Sequence, residues 1–357
     1  RRVHKGEPKM TISAGKLWGL RRLADDNGRF KMTAVDQRPP IKQLISNARG
    51  LETASDKDVQ AVKRLLVEEL AKDSSALLLD PHHAYPASID VVPPAKGLLL
   101  TLEDSVFDEA PGGRRSSAIT DWSVEKIKRS GADAVKLLAW YRPDAATDVI
   151  DYQQAFVAQV GDACQQFDIP FVFELLTYPM VDDTGDLAHD VVRRADSVIR
   201  SVEEFSAARF GVDLFKLESP IPPSEVPDPD DPDAGPAAQA IFDELGRAAA
   251  RPWVMLSAGA DRSDFRRILV FAYRAGASGF LAGRAIWWTP LQRFPDMAAA
   301  RTALRTDGAA YLRSIGNLTD ASASPFFEHP SYGDAGPLLA GDLEDFRRTY
   351  PDFGGVA

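Results

Sequence analysis

Eight short apolar runs recur along the chain, separated by longer segments whose apolar residues fall three and four positions apart. The runs are 30–36 (FKMTAVD), 76–80 (ALLLD), 97–102 (GLLLTL), 134–141 (AVKLLAWY), 171–178 (FVFELLTY), 214–220 (LFKLESP), 253–259 (WVMLSAG) and 279–286 (GFLAGRAI). Each is rich in Val, Leu, Ile or Phe and bounded by Gly, Pro or Asp. Near-continuous apolar strands are buried on both faces, as in parallel sheets. The intervening spacing predicts helices over 58–72, 151–167, 186–209 and 262–275, the last with Asp261 as its N-cap. Strands alternating with helices require βαβ crossovers. Eight of them in about 260 residues predict a closed α/β (βα)8 TIM barrel rather than an open doubly wound sheet. No strand is followed by a Gly-x-Gly-x-x-Gly turn, which counts against dinucleotide binding.

Three segments fall outside the repeat. Residues 1–29 predict a helical cap before the barrel domain of residues 30–318. Residues 221–236 (IPPSEVPDPDDPDAGP) are acidic and Pro-rich and predict a loop without a core of its own. It follows the sixth strand, which puts a lid over the mouth in reach, although an inert solvated loop is the plainer expectation. Residues 319–357 form an irregular extension with a short helical stretch near 341–349. That tail is expected to pack on a neighbouring subunit of a homodimer or larger homo-oligomer, or to cross the mouth.

Bulk properties narrow the partners. The 357-residue chain carries a net charge of −10, which disfavours nucleic acid while leaving room for a small anion held by converging cations. One cysteine, Cys164, cannot form an intrachain disulfide and fits a reducing compartment. The first ten residues lack the apolar run of a secretion signal, and no apolar run is long enough to span a bilayer. The expected setting is cytoplasmic, with no membrane partner.

Lysine usage points to chemistry. Of 13 lysines, 11 lie at or before Lys128, and only Lys136 and Lys216 follow, although arginine stays frequent. Both late lysines sit inside apolar strands. A guanidinium stays protonated, whereas a buried primary amine can lose its proton and attack a carbonyl. A structural lysine–carboxylate pair is the plain alternative. Carboxylates are close in sequence. Glu218 shares the strand face of Lys216, Glu174 lies within the fifth strand, and Asp36 and Asp80 end the first and second. Strand ends converge at the C-terminal mouth of a barrel, where a second cation lowers an amine's pKa and a carboxylate shuttles protons. The segments LSAGAD (256–261) and LAGRAIW (281–287) end strands seven and eight. Their small residues open backbone N–H groups to an anion, and Arg284 adds a cation. Trp140, Tyr141, Trp287 and Trp288 sit beside strand ends, where packing on the rim is more expected than stacking on a sugar.

In order, AVDQR (34–38), SSALLLDP (74–81), GADAVKLLAWY (131–141), PFVFELLTY (170–178), FGVDLFKLESP (210–220), PWVMLSAG (252–259) and GASGFLAGRAIW (276–287) resemble the class I aldolases typified by tagatose 1,6-bisphosphate aldolase, to which sulfofructose phosphate aldolase is related. The resemblance implies a lyase that uses Lys216 as the Schiff-base amine, Glu174 as the proton-transfer carboxylate and Lys136 as the second active-site lysine, with Asp36 beside them. It implies that Gln37 and Arg38 lie at the mouth of the first strand, and that Ser257, Gly259, Gly283 and Arg284 hold phosphate beside the reacting ketone, with Glu218 close by. The implied reaction cleaves a ketohexose phosphate, tagatose 1,6-bisphosphate first and fructose 1,6-bisphosphate second, to dihydroxyacetone phosphate and an aldehyde. It needs no cofactor and no metal, and His4, His82, His83, His189 and His329 show no ligand spacing. Arg142, His82, His83 and Arg38 are the candidates for the far anion. The alternatives are the same chemistry on a sulfonated sugar, and a non-catalytic sugar-phosphate sensor.

Overall fold

Which side of its strand each residue takes decides how the eight runs assemble. The computed structural model describes residues 10–180, 183, 190–341 and 343–352. The barrel strands are β1 (Phe30–Ala34), β2 (Ala76–Leu79), β3 (Gly97–Thr101), β4 (Ala134–Trp140), β5 (Phe171–Leu176), β6 (Leu214–Leu217), β7 (Trp253–Met255) and β8 (Gly279–Ala282). Successive strands pair in parallel, and β8 pairs with β1, so the sheet closes with no free edge.

Side chains alternate across a strand. Phe30, Met32, Ala34, Ala76, Leu78, Leu99, Ala134, Val172, Leu214, Val254 and Leu281 form one buried cluster, the filling of the barrel. Their neighbours, such as Val35, Leu77, Leu100, Leu137, Phe173 and Phe215, belong to a second cluster under the helices. Extending the inward parity upward reaches Asp36 beyond β1, Glu103 beyond β3, Lys136 on β4, Glu174 on β5 and Lys216 and Glu218 on and beyond β6. The lower barrel is therefore apolar and its upper end charged.

The predicted helices are present as Asp56–Leu70, Thr147–Gln166, Val191–Phe205 and Arg262–Arg274. Ser55, Asp190 and Asp261 each accept a hydrogen bond from a first-turn N–H, the capping that starts a helix. The third helix is shorter than the predicted 186–209; residues 186–189 lie outside the described residues. No helix among the described residues is long and apolar enough to cross a membrane.

The lower end of the barrel is closed by helix Ala14–Leu23, which buries Leu20 and Leu23 completely. Burying two leucines contributes roughly 2 kcal/mol each. Gly19 permits the close fit, because a Cβ there would stand 2.4 Å from the Asp133 carbonyl oxygen. Residues 1–9 of the expected cap lie outside the described residues. The tail packs on this same lower face. Leu338–Leu339 pairs in parallel with Thr11–Ile12, the Phe326 ring lies 5.5 Å from Phe30, and the Tyr350 and Ser13 hydroxyls both donate to Asp168. The described part of the tail, residues 319–341 and 343–352, therefore does not cross the mouth, contrary to one expectation. Its short helix is Phe346–Thr349.

The 221–236 loop also leaves the mouth. The Val226 carbonyl accepts from Arg267 Nε (3.0 Å) and the Pro229 carbonyl from Arg274 Nη1 (3.0 Å), which holds the loop along helix Arg262–Arg274. Several elements were not among those predicted, including helices Pro39–Arg49, Gly235–Ala248 and Ala309–Ser322 and a hairpin, Asp108–Ala110 with Gly113–Arg115, inserted after β3. The hairpin's strands are three residues long and polar, too short for periodicity to register.

Candidate active site

The upper barrel holds a cavity of about 220 Å³ walled by Gln37, Trp140, Glu174, Thr177, Lys216, Glu218, Ser257, Gly283 and Arg284, among others. Seven of the sequence-derived candidates thus meet in one cavity. Asp36 and Lys136 lie just behind it, Gly259 backs Arg284, and Arg38 stands apart on the rim.

The two lysines differ in what surrounds them. Lys136 is 1 % exposed and Lys216 3 %. The Lys136 ammonium donates to Asp36 Oδ2 (3.0 Å) and Glu103 Oε1 (2.5 Å) and forms an ion pair with Glu174 Oε2 at 2.8 Å. Three carboxylates thus surround it, two of them as hydrogen-bond acceptors. Burial opposes its charge, but Asp36, Glu103 and Glu174 outweigh burial and hold it well above the ordinary lysine range. Among the described residues, Lys216 contacts a single carboxylate, Glu174, with Nζ 2.8 Å from Oε2, and it faces the cavity. Lys216 is thus the amine placed to meet a ligand, and Lys136 is fixed behind it.

Glu174 is the hinge of this arrangement, because both ammonium groups lie 2.8 Å from the same oxygen, Lys216 as hydrogen-bond donor and Lys136 as ion-pair partner. Burial pushes its carboxyl up, and Lys136 and Lys216 more than reverse that, leaving it below the ordinary range. The same balance, burial against Lys136 and then Lys216, lowers Asp36. Both are therefore anions that accept protons readily only when an adjacent cation leaves or is neutralised.

The sequence did not single out Glu103. It follows β3 by two residues and shares the inward face of Thr101, so its parity in GLLLTLED was the available signal. Asp80, by contrast, was expected at the mouth and is withdrawn from it. It is fully buried, paired with Lys63, and accepts the backbone N–H groups of His82 and His83. Lys63 also donates to the Val35 carbonyl (2.9 Å), which steadies the chain just before Asp36.

On the opposite wall, Ala258 and Gly259 take left-handed backbone, φ 47° and 84°. A Cβ on Gly259 would stand 3.0 Å from Arg284 Cζ, so the glycine lets the guanidinium lie flat on the turn. Burial lowers the Arg284 pKa, and Glu174 partly offsets this. Arg284 is without a carboxylate within salt-bridge distance among the described residues. Glu218 is already engaged: Oε2 meets Arg194 Nη2 at 2.5 Å, and Oε1 accepts from the Thr177 N–H at 2.6 Å.

The four candidates for a far anion separate clearly. Arg142 is consumed by Asp144 (2.6 Å), Asp183 (2.7 Å) and the Tyr178 carbonyl. His83 bonds Asp56 at 2.9 Å. His82 is exposed, and partial desolvation followed by Arg38 lowers its pKa. Arg38 is buried; its Nη2 donates to the Glu103 carbonyl (2.9 Å), while Nε and Nη1 meet no acceptor. Trp140 walls the cavity, contrary to a purely packing role, with Arg114 stacked 5.0 Å from its ring centre. Trp287 is structural: it is buried and donates to the Ala34 carbonyl. No group of three His, Cys, Asp or Glu side chains suited to a metal ion occurs among the described residues; His4 and His189 lie outside them. A larger cavity, about 810 Å³, lies on the lower face beside Arg247, Arg251 and His329, but it contains no lysine.

Comparison with known proteins agrees with this geometry. The DeoC/LacD family aldolase profile matches residues 30–289. Tagatose 1,6-diphosphate aldolase of Listeria monocytogenes (serovar 1/2a) is 35 % identical, the alignment covering 88 % of this chain and 95 % of that protein. Tagatose 1,6-diphosphate aldolase 2 of Streptococcus mutans is 33 % identical over 91 % of this chain and 100 % of its own length. An archaeal fructose 1,6-bisphosphate aldolase shares the fold with a TM-score of 0.56 at 17 % identity, covering 85 % of this chain and 99 % of that one. Fructose-bisphosphate aldolase from Plasmodium falciparum does so with a TM-score of 0.62 at 14 % identity, covering 88 % and 98 %. The chain belongs to the DeoC/LacD family of aldolases, lyases that cleave carbon–carbon bonds.

Proposed function

We propose that the protein cleaves a ketohexose 1,6-bisphosphate, tagatose 1,6-bisphosphate foremost, through a Schiff base on Lys216. The observation that carries this reading is the contrast between one amine facing the cavity and a second surrounded by three carboxylates behind it. The names of the curated relatives support the choice of sugar.

The steps follow from the contacts. Lys216 passes a proton to Glu174 Oε2, 2.8 Å away, and its lone pair attacks the C2 carbonyl. The carbinolamine loses water, with Glu174 returning the proton to the leaving hydroxyl, and an iminium ion remains. Glu174 then takes the C4 hydroxyl proton. The C3–C4 electrons move into the iminium, the aldehyde departs, and an enamine is left. Protonation at C3 and hydrolysis release dihydroxyacetone phosphate and restore the amine. Lys136 and Asp36 keep Glu174 in place and anionic between these transfers.

Arg284, with the backbone at Ser257, Gly259 and Gly283, suits the C1 phosphate, because a half-buried guanidinium without a carboxylate partner among the described residues, beside a small-residue turn, favours a dianion. Arg38, with two donors lacking acceptors, suits the C6 anion, and Gln37 lies between the two ends. Glu218 acts as a fixed wall through Arg194 and Thr177 rather than as a direct ligand. A sulfonate at C6 is the less favoured reading, since the relatives carry the bisphosphate name. A non-catalytic sensor would have no use for Lys216 and Glu174 in contact. Cytoplasmic residence and a homo-oligomeric state complete the proposal. Buried Cys164 supports the former.

The test is release of dihydroxyacetone phosphate from tagatose, fructose and sulfofructose substrates, each with and without a chelator. Chelator-resistant turnover, highest on tagatose 1,6-bisphosphate, is expected. Turnover abolished by the chelator, or none on any ketose phosphate, would overturn the reading.

A further inference from the structure

We propose that Glu103 is a positioning residue of the catalytic centre: it completes the three-carboxylate seat of Lys136, so that Lys136 remains a fixed ammonium and Lys216 is, among the described residues, the one amine of the cavity open to a carbonyl. The inference rests on the Schiff-base reading above.

Glu103 is 4 % exposed, although it lies outside any regular barrel strand. Its position is set on both sides. Its backbone bridges to Ala118, the Asp104 N–H donates to the Ser117 carbonyl (2.8 Å), and the Ile119 N–H donates to the Leu102 carbonyl (2.9 Å). The segments leading into and out of the inserted hairpin thus clamp the residue. Its side chain then divides its work. Oε1 receives the Lys136 ammonium at 2.5 Å, and Oε2 receives the Leu138 N–H at 3.0 Å. The second bond fixes the carboxylate plane against β4, so the first cannot drift.

Charge counting shows why the third carboxylate matters. Lys136 faces Asp36 from β1, Glu103 from β3 and Glu174 from β5. Lys216 approaches Glu174 from β6, and Arg284 stands beyond it. Lys63 lies behind Asp36, and Arg38 donates to the Glu103 carbonyl. Without Glu103, Lys136 and Lys216 would have only Asp36 and Glu174 between them. Two amines and two carboxylates sharing one oxygen leave either amine able to surrender a proton. With Glu103 present, Lys136 is hydrogen-bonded to Asp36 and Glu103 and ion-paired with Glu174, whose own hydrogen bond goes to Lys216, so Glu174 exchanges protons with Lys216 and the substrate. A carboxylate that merely neutralised a buried lysine would affect folding but leave the identity of the nucleophile and the pH dependence untouched.

Glu103→Gln and Glu103→Asp distinguish these roles in the full-length enzyme, with folding checked by near-ultraviolet circular dichroism. For Glu103→Gln we expect kcat to fall at least about tenfold with KM within about threefold, the loss of one positioned group in proton transfer. We expect the alkaline limb of the kcat profile to move down by about one pH unit as Lys136 becomes able to deprotonate. Glu103→Asp, which keeps the charge, should recover most of kcat and much of the limb. Should Glu103→Gln fail to fold, a smaller downward move of the limb in Glu103→Asp carries the same expectation. A folded variant whose kcat and pH profile match the wild type overturns the inference, as does a loss of thermal stability with an unmoved profile. Wild-type trapping by dihydroxyacetone phosphate and borohydride, run in parallel, separates the two claims. No wild-type adduct defeats the Schiff-base reading itself, whereas a wild-type adduct with an unaffected Glu103→Gln defeats only the role of Glu103.

Discussion

Lys136 and Lys216 share one oxygen atom: the Nζ of each lies 2.8 Å from Oε2 of Glu174. The pair was expected to work by repulsion, one cation pushing a proton off the other. The geometry gives Lys136 a different task. Three carboxylates surround it, so its charge is more than balanced locally, and its effect is to fix Glu174. Lys136→Met therefore leaves Asp36, Glu103 and Glu174 facing one another without their shared cation. Breaking such a buried group costs roughly 3–5 kcal/mol. In the wild type, the depressed Asp36 and Glu174 contribute stability present above their ordinary range near pH 4 and lost as acid protonates them. In the variant the sign reverses, because repulsion raises a carboxyl pKa and stability falls as pH rises. Urea titrations at pH 5 and pH 8 should show the larger loss at pH 8; an equal loss at both would count against the carboxylate seat.

Gly259→Ala tests the anion site from the backbone side. At φ 84° a Cβ costs roughly 1–2 kcal/mol, and it would stand 3.0 Å from Arg284 Cζ. Displacing the guanidinium should raise KM for the bisphosphate about tenfold or more, as Arg284→Ala should, since a hydrogen bond to a charged group is worth about 1.5–3 kcal/mol. Trapping of unphosphorylated dihydroxyacetone should be spared in both variants. A KM unchanged by Arg284→Ala would remove Arg284 from the phosphate site.

Arg38→Ala addresses the other end of the substrate. The two guanidinium nitrogens without acceptors are buried donors awaiting an anion. Loss of Arg38 should lower kcat/KM for the bisphosphate about 10- to 100-fold while leaving affinity for dihydroxyacetone phosphate, the C1–C3 half, near wild type. Equal losses on both ligands would place Arg38 elsewhere.

His329, on the lower face, predicts an acid sensitivity unrelated to catalysis. Burial, and then Arg251, push its pKa down to about 4. A histidine kept neutral when folded but free to protonate when unfolded costs no stability above about pH 6.5 and progressively more as pH falls toward 4. The full effect is at most about 3 kcal/mol. His329→Gln should flatten thermal stability between pH 6.5 and 4 relative to wild type, measured by calorimetry; parallel curves would contradict the assignment.

All eight strands were legible because each is a short apolar run, and in a closed barrel both faces of a strand are buried. Lys216, Lys136 and Glu174 were legible because a charge inside such a run is conspicuous. Glu103 was not, since it stands just past its strand, where an acidic residue looks like an ordinary loop carboxylate. Asp80 misled for the opposite reason. It ends a strand as Asp36 does, but Lys63, on the helix outside, draws it behind the sheet. The course of the tail and of the 221–236 loop depends on single contacts, Tyr350 with Asp168 and Arg267 with Val226, that leave no periodic trace. Arg142 and Arg38 look alike in sequence, and only their partners, carboxylates for one and none at Nε and Nη1 for the other, tell them apart.

The central claim is that Lys216 is the amine that bonds to the substrate. Incubation with dihydroxyacetone phosphate, reduction with borohydride and peptide mass mapping tests it directly. The expected result is one reduced adduct per chain on Lys216, absent from Lys216→Met. An adduct on Lys136 instead, or undiminished turnover by Lys216→Met, would contradict it.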